Sequence, residues 1–303
     1  MSVVYVNELF PSSSNFDAIM NEAVNVLADA LRNEERIVIA YSGGKDSNTL
    51  FDLAIQYFSD CIDKITVYSI LNPLEPHELR EIIYLKSQYM PILLYESKSW
   101  LDILFERGYL FPTPRLRWCT GFTKVAPTGS IKELKGKMVV GTRMHESSNR
   151  KRLFESKNYL KNNVLTPIKH WHDEHVWYYL LNVSPLKHIN SKLYSIYNKA
   201  KTNRMGCMLC PLASRINYAE LIELHHFVYT ITKSLTDGSG YDIYCEDAGC
   251  GVYKFKRDVL EQLLVLIRQA ECNCNYKLLN YQDDEAIKLY ELGVQKRIER
   301  KRA

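Results

Sequence analysis

Apolar positions along this chain change their period several times, and the changes mark out its elements. Over residues 14–33, Phe16, Ile19, Met20, Val24, Leu27 and Leu31 recur at helical spacing, with caps on offer from Ser12 to Asn15. A short apolar run at 36–41 then reads as a strand, and a polar loop leads into a helix through Leu50, Phe51, Leu53, Ala54 and Tyr57. The alternation repeats: strand 64–70, crossover helix 77–89, strand 91–96, helix 98–107, strand 138–142 and a short fifth strand at 164–168. Strands alternating with helices predict an α/β fold with a doubly wound parallel sheet. Any ligand is then expected at the carboxyl ends of the strands. Past about residue 170 the pattern shifts. Residues 171–182, 216–234, 254–270 and 283–302 read as helices with few strand signals, and 236–242 (TDGSGYD) is the clearest flexible connection. The expected division is an α/β domain over 1–170 and a mostly helical C-terminal region over 171–303.

Composition narrows the class. The 303 residues are 46% hydrophobic and 24% charged, ordinary values for a globular protein with a full core. No run of eighteen apolar residues occurs, so no membrane span is expected. The first residues, MSVVYVNELFPSSS, lack the pattern of a secretory signal, which makes a cytoplasmic address the default. In such a protein the eight cysteines are expected to be thiols or metal ligands rather than disulfides. A net charge of +4 permits a nucleic-acid partner without requiring one.

The densest chemistry lies in IVIAYSGGKDS, Ile37 to Ser47. A strand that ends in Gly43 and Gly44 and turns into a helix forms an anion-binding cup. The glycines admit close backbone approach, and the helix start presents its positive end. Lys45 adds a cation, and Ser42 and Ser47 add hydroxyls. The string is not GxxxxGK[ST], so it is not a γ-phosphate-transferring loop. An ordinary glycine turn is the competing reading, disfavoured by six matching residues in a strand–turn–helix setting. The string resembles the PP-loop of the ATP pyrophosphatase superfamily, where SGGKDS holds the pyrophosphate leaving group of ATP. That resemblance implies ATP and Mg²⁺ as cofactors, a nucleotide site built from Ser42 to Ser47, and catalytic roles for Lys45 and Asp46.

Further segments resemble the phosphoadenosine-phosphosulfate (PAPS) reductase branch of that superfamily. GTRMHESSNRKR, Gly141 to Arg152, matches its arginine loop, which implies that Arg143 and Arg150 lie over nucleotide phosphates and that Arg143 takes part in catalysis. RLRWCTGFTKVAP matches its R-x-C-C-x-x-x-K-x-x-P segment through Arg117, Cys119, Lys124 and Pro127, with one cysteine where the iron–sulfur branch has two. Cys207 and Cys210 form a CxxC within reach of one metal centre. Cys245 or Cys250 could complete a set of four, and flanking glycines favour Cys250. A [4Fe–4S] cluster on Cys119, Cys207, Cys210 and Cys250 is the favoured expectation, with zinc and free thiols still open. PIKHWHDEHVWYYL resembles the branch's P-I-x-x-W-x-x-x-D-V-W stretch, whose Trp171, Val176 and Trp177 are expected to pack the helix on the sheet. His170, His172 and His175 are expected at a solvated helix start rather than on a metal.

Three departures point away from sulfate reduction. The reductases' Glu-Cys-Gly-x-His is missing, their Asp-Thr-Gly after the second strand is missing, and SGGKDS is intact. Over residues ~36–212 the combination most resembles the sulfur-transfer proteins of DNA phosphorothioation systems. The resemblance implies hydrolysis of ATP to AMP and pyrophosphate to activate a nucleic-acid oxygen, a DNA backbone phosphate, for replacement by sulfur. It also implies DNA, a cysteine desulfurase and other phosphorothioation proteins as partners. The alternatives are a PAPS or APS reductase, a tRNA-thiolating enzyme, and a non-catalytic binding module. A nucleic-acid backbone is expected near Arg150, Lys151, Arg152, Lys157 and Lys161, while Lys296 to Arg302 reads as a frayed, solvated helix end.

Overall fold

The computed structural model describes residues 13–109, 111–112, 117–146, 148–155, 164–200, 202, 205–207, 210, 244–247, 252–275 and 277–303. Five strands, β1 (Ile37–Ala40), β2 (Ile65–Leu71), β3 (Ile92–Glu96), β4 (Lys137–Val139) and β5 (Val164–Leu165), form one sheet in the order β3-β2-β1-β4-β5. Every neighbouring pair is parallel. The order reverses beside β1, with Ile39 in register with Val67 on one side and Val139 on the other. Such a reversal opens a crevice at the strands' carboxyl ends, and the Ser42–Ser47 turn emerges there.

Around the sheet lie α1 (Ser13–Asn33), α2 (Lys45–Tyr57), α3 (His77–Ser87) and α4 (Trp100–Arg107). Short turns α5 (Trp118–Thr120) and α6 (Ala126–Ser130) are bridged by a π-turn at Gly121–Val125, and α7 (Ser148–Glu155) follows β4. Then come α8 (Asp173–Tyr178), a π-turn at Tyr179–Val183, and α9 (Lys187–Lys199). The C-terminal part holds an antiparallel hairpin, β6 (Tyr244–Asp247) and β7 (Val252–Phe255), then α10 (Arg257–Cys274) and α11 (Asp283–Arg302). The hairpin corrects the expectation of a helix beginning at 254. Val252 to Phe255 pair with Tyr244 to Asp247, and the helix starts after Lys256. The expected helix at 216–234 and the connection at 236–242 lie outside the described residues. No helix among the described residues is long and apolar enough to cross a membrane.

Packing groups the elements differently from their order in the chain. Phe16 and Leu27 of α1, Ile39 of β1, Leu50 and Phe51 of α2, and Trp171, Val176 and Tyr179 around α8 share one buried cluster. Trp171 meets Phe16 edge-on at 5.7 Å and donates its indole N–H to the Ile19 carbonyl, which seats α8 on the sheet layer as its apolar ring predicts. A second cluster joins Trp100, Leu104 and Phe105 of α4 to Leu263 and Ile267 of α10 and to Tyr290, Val294 and Ile298 of α11. α4 and α11 cross backbone to backbone, since a Cβ on Gly293 would stand 2.4 Å from the Gly108 nitrogen. The end of the chain is therefore no frayed helix: Ile298 is buried, and Arg297 donates to the Gly108 carbonyl and lies over the Tyr109 ring.

Beneath the sheet's carboxyl end runs a fully buried ionic network. Lys86 of α3 donates to Asp52 of α2 and, at 2.9 Å, to Asn190 of α9. The other Asp52 oxygen accepts from Ser184 at 2.5 Å and Asn190 at 2.8 Å. Burial lowers the Lys86 pKa, and Asp52 opposes that shift. Every polar atom of the carboxylate is thus partnered, the condition under which a buried ion pair is tolerated.

Candidate active site

The loop takes its shape from Gly43 and Asn48. Gly43 has φ +72°, and a Cβ there would come within 2.9 Å of the Leu79 carbonyl on α3. Asn48 donates to the carbonyls of Gly43 at 2.7 Å and Gly44 at 3.0 Å, while its own oxygen accepts from Tyr41 at 2.9 Å. Ser47 also turns inward. Its hydroxyl donates to the Gly44 carbonyl and accepts from the Ser42 amide, at 3.0 and 3.2 Å. The result is a rigid turn at the N-terminus of α2, whose first turn offers backbone N–H groups to a cleft of about 440 Å³.

Charged side chains line that cleft in an alternating square. Lys45 is 3% exposed, and its ammonium lies 3.7 Å from Asp46 and 3.4 Å from Asp173. Arg143, 2% exposed, donates Nε to Asp46 at 2.7 Å, one Nη to Asp173 at 2.5 Å and the other to the Trp171 carbonyl at 3.2 Å. Two cations and two carboxylates make the square formally neutral. Asp46 pairs with Arg143 rather than capping α2, whose N-cap Gly44 has no side-chain cap bond. Gly141 lets the chain leaving β4 pass close to the helix start, because a Cβ there would meet the Asp46 carbonyl at 2.8 Å.

A recess of about 330 Å³ adjoins the cleft and shares Ser42, Asp46, Ser47 and Glu146 with it. Ala40, Tyr41, Tyr68 and Ile70 supply its apolar side, and Lys124, Glu75 and Arg150 its charged side. Glu146 accepts from Arg150 and from the Arg143 amide, and so fixes the arginine loop over the recess. At the mouth of the cleft His145 and His172 stack with ring centroids 3.7 Å apart. Burial, reinforced by His172, Lys151, Arg143 and His170, holds the His145 pKa below its ordinary value.

The structure thus brings Ser42, Gly44, Lys45, Asp46, Ser47 and Arg143 to one cleft, turns Gly43 toward Leu79 and Ile83, and sets Arg150 on the adjoining recess. Asn48, Asp173, Glu146 and Tyr197 were not foreseen. Asp173 stands inside the Pro167–Leu180 stretch already singled out, whereas Tyr197 carries no motif at all.

The cysteines do not bear out the cluster. Cys119, Cys207 and Cys210 do lie in one neighbourhood. Cys210 acts electrostatically on both other thiols, and Cys207 accepts from Asn72 at 3.5 Å. Burial raises the Cys119 pKa and pushes that of Cys207 up to about 12. Among the described residues no group of three or more His, Cys, Asp or Glu is arranged to hold a metal ion. Cys250, Lys157 and Lys161 lie outside the described residues. Glu75 ties Lys124 to this wall at 3.1 Å, and with Cys207 and Cys210 it raises the lysine's pKa against the opposing effect of burial.

A family model described as the phosphoadenosine phosphosulfate reductase domain matches residues 36–213. Two uncharacterised proteins of Methanocaldococcus jannaschii are similar in sequence. One is 26% identical over 67% of this chain and 48% of its own length, the other 29% identical over 58% and 36%. The chain thus spans about half or less of these relatives. Among solved structures, PAPS reductase of Candida auris in a phosphate complex is 13% identical, with a TM-score of 0.43 over 66% of this chain and 97% of that one. FMN adenylyltransferase of Candida glabrata in complex with ATP is 18% identical, with a TM-score of 0.39 over 65% and 62%. Likenesses this distant say nothing about activity.

Proposed function

The chain belongs to the phosphoadenosine phosphosulfate reductase domain family, and from that membership we propose that it is an ATP pyrophosphatase that activates a nucleic-acid oxygen for sulfur insertion. The observation that carries the reading is the intact Ser42–Ser47 turn. Its helix start and buried Lys45 face a cleft that runs on into a recess with an apolar side. A triphosphate fits that donor set, with phosphates against the α2 amides and Lys45, and the base toward Tyr41, Tyr68 and Ile70. Asp46 would hold Mg²⁺ together with triphosphate oxygens, and the ion would supply charge neutralisation.

In the proposed reaction an acceptor oxygen attacks the α-phosphorus. The bond from that phosphorus to the bridging oxygen breaks, and its electrons leave with pyrophosphate. Lys45 and Arg143 neutralise the charge that builds on the leaving group. With a DNA backbone phosphate as acceptor, the adenylated oxygen becomes a good leaving group. The terminal sulfur of a persulfide supplied through a cysteine desulfurase then attacks the backbone phosphorus, and AMP departs with the original oxygen. A second thiol takes the carrier's inner sulfur into a disulfide, which leaves the terminal sulfur on the DNA. The intact loop favours ATP over an adenylyl sulfate, which has no pyrophosphate to release.

The test follows α-labelled ATP in the presence and absence of DNA. Wild-type protein is expected to give AMP and pyrophosphate in equal amounts, and Lys45→Ala protein of native circular dichroism is expected to give neither. Full pyrophosphate release by folded Lys45→Ala protein would sink the assignment. Sulfite release from an adenylyl sulfate with a thiol reductant would replace it with a reductase.

A further inference from the structure

Tyr197 of α9 approaches the loop from 152 residues away in sequence, and it touches the loop in two ways. Its hydroxyl oxygen accepts the Lys45 backbone N–H at 3.2 Å, at the start of α2. Its ring lies 5.4 Å from the Lys45 ammonium, within cation–π range. It also lines the same cleft as Lys45, Arg143 and Asp173. The hydroxyl comes so near the turn that a Cβ on Gly44 would be 3.4 Å from it. Trp177 braces the tyrosine edge-on at 5.2 Å, and Leu79, Ile82, Ile189 and Leu193 bury its flank.

We propose that Tyr197 is a phosphate-binding residue of this site, its hydroxyl bridging the Lys45 amide and a phosphate oxygen while its ring holds the Lys45 ammonium toward the cleft. This rests on the reading of the Ser42–Ser47 turn as a phosphate site. A hydroxyl can accept and donate at once, so a tyrosine that accepts from the helix start can give its own hydrogen to an arriving anion. Phenylalanine would fill the flank among Leu79, Ile82, Ile189 and Leu193 equally well, so packing alone does not call for the hydroxyl. The two contacts explain why a polar aromatic residue stands against the loop.

The experiment measures calorimetric binding of inorganic pyrophosphate and, separately, of adenosine to the full chain and to Tyr197→Phe. The variant is expected to bind pyrophosphate about ten-fold more weakly, the range for a lost hydrogen bond to a charged group. Its adenosine affinity and urea midpoint should stay at the wild-type values. Tyr197→Leu, which also removes the ring, should weaken pyrophosphate binding further while adenosine binding persists. Unchanged pyrophosphate binding by Tyr197→Phe would overturn the assignment while leaving the loop reading intact. Equal loss for pyrophosphate and adenosine would also overturn it, by making the tyrosine a structural support. Failure of the wild type to bind pyrophosphate would remove the loop reading itself, and this inference with it.

Discussion

Replacing Arg143 by alanine tests the charge square directly. Lys45 and Arg143 balance Asp46 and Asp173 around one cleft, so the substitution takes the site from formally neutral to one net negative charge. At about 6 Å and an effective dielectric of about 20, one unit charge acts on another with about 3 kcal/mol. Asp46 and Asp173 are 23% and 45% exposed at the side chain, so water and salt screen much of this. A loss of about 1–2 kcal/mol in all remains, or roughly ten-fold in triphosphate affinity. Stability should fall by no more than about 1–2 kcal/mol, because both abandoned carboxylates can hydrate. Asp173→Asn has the opposite sign: it leaves the cleft one charge positive and should tighten pyrophosphate binding several-fold. The double variant should return to near the wild-type affinity. Calorimetry with pyrophosphate and urea unfolding of the four proteins close the cycle. Arg143→Ala binding as tightly as the wild type, or Asp173→Asn binding more weakly, would refute the charge account.

Gly43→Ala forces a side chain into φ +72° and against the Leu79 carbonyl, so we expect it to cost about 1–3 kcal/mol and to weaken ATP binding, read by thermal unfolding and titration. Lys86→Met should destabilise by about 3–5 kcal/mol in urea, because it strands Asp52, and Lys86→Met with Asp52→Leu should recover much of that loss. Burial lowers the His175 pKa from 6.5, and its Nδ1 accepts the His172 N–H at 3.0 Å. The unfolded chain therefore binds this proton more readily, and stability should be fully present above pH 6.5 and decline as pH falls from there towards the lowered folded value. His175→Gln should flatten that decline, and an unchanged slope would remove His175 as its source.

The central strands were legible because burial on both faces needs near-continuous apolar runs, as in Ile37 to Ala40 and, with Thr66 and Ser69 let in, Ile65 to Leu71. β4 ends at Val139, short of the expected 142, because the chain turns to lay Gly141 against the start of α2. The last helix misled in the other direction. Its charged KRIERKR end hides Ile298, the final member of a buried series with Ile287, Tyr290 and Val294. Strings local in sequence gave the loop and its arginine, since those residues act within a few positions of one another. Asp173 and Tyr197 reach the loop from α8 and α9, and no local spacing announces a contact made through tertiary packing. The cysteines show the limit of spacing in another way. Three of the expected thiols do share one neighbourhood, but Cys250 lies outside the described residues. Burial outweighs Lys124 and Arg117 in setting the Cys207 and Cys119 pKa values.

The long reach of those contacts gives the site a timetable during synthesis. Lys45 and Asp46 leave the ribosome early, yet Arg143, Asp173, Asn190 and Tyr197 follow by about 100 to 150 residues. At roughly 5–20 residues per second the nascent turn would wait about 8–30 s for its last partner. Through that interval Lys86 and Asp52 have only each other, without Ser184 or Asn190 to complete the network. The bonds from Asn48 and Ser47 that shape the turn are local, but the cup is complete only when Arg143, Asp173 and Tyr197 have closed on it. A pulse of proteolysis on stalled chains should cut near the loop until about residue 200 has emerged, and spare it afterwards.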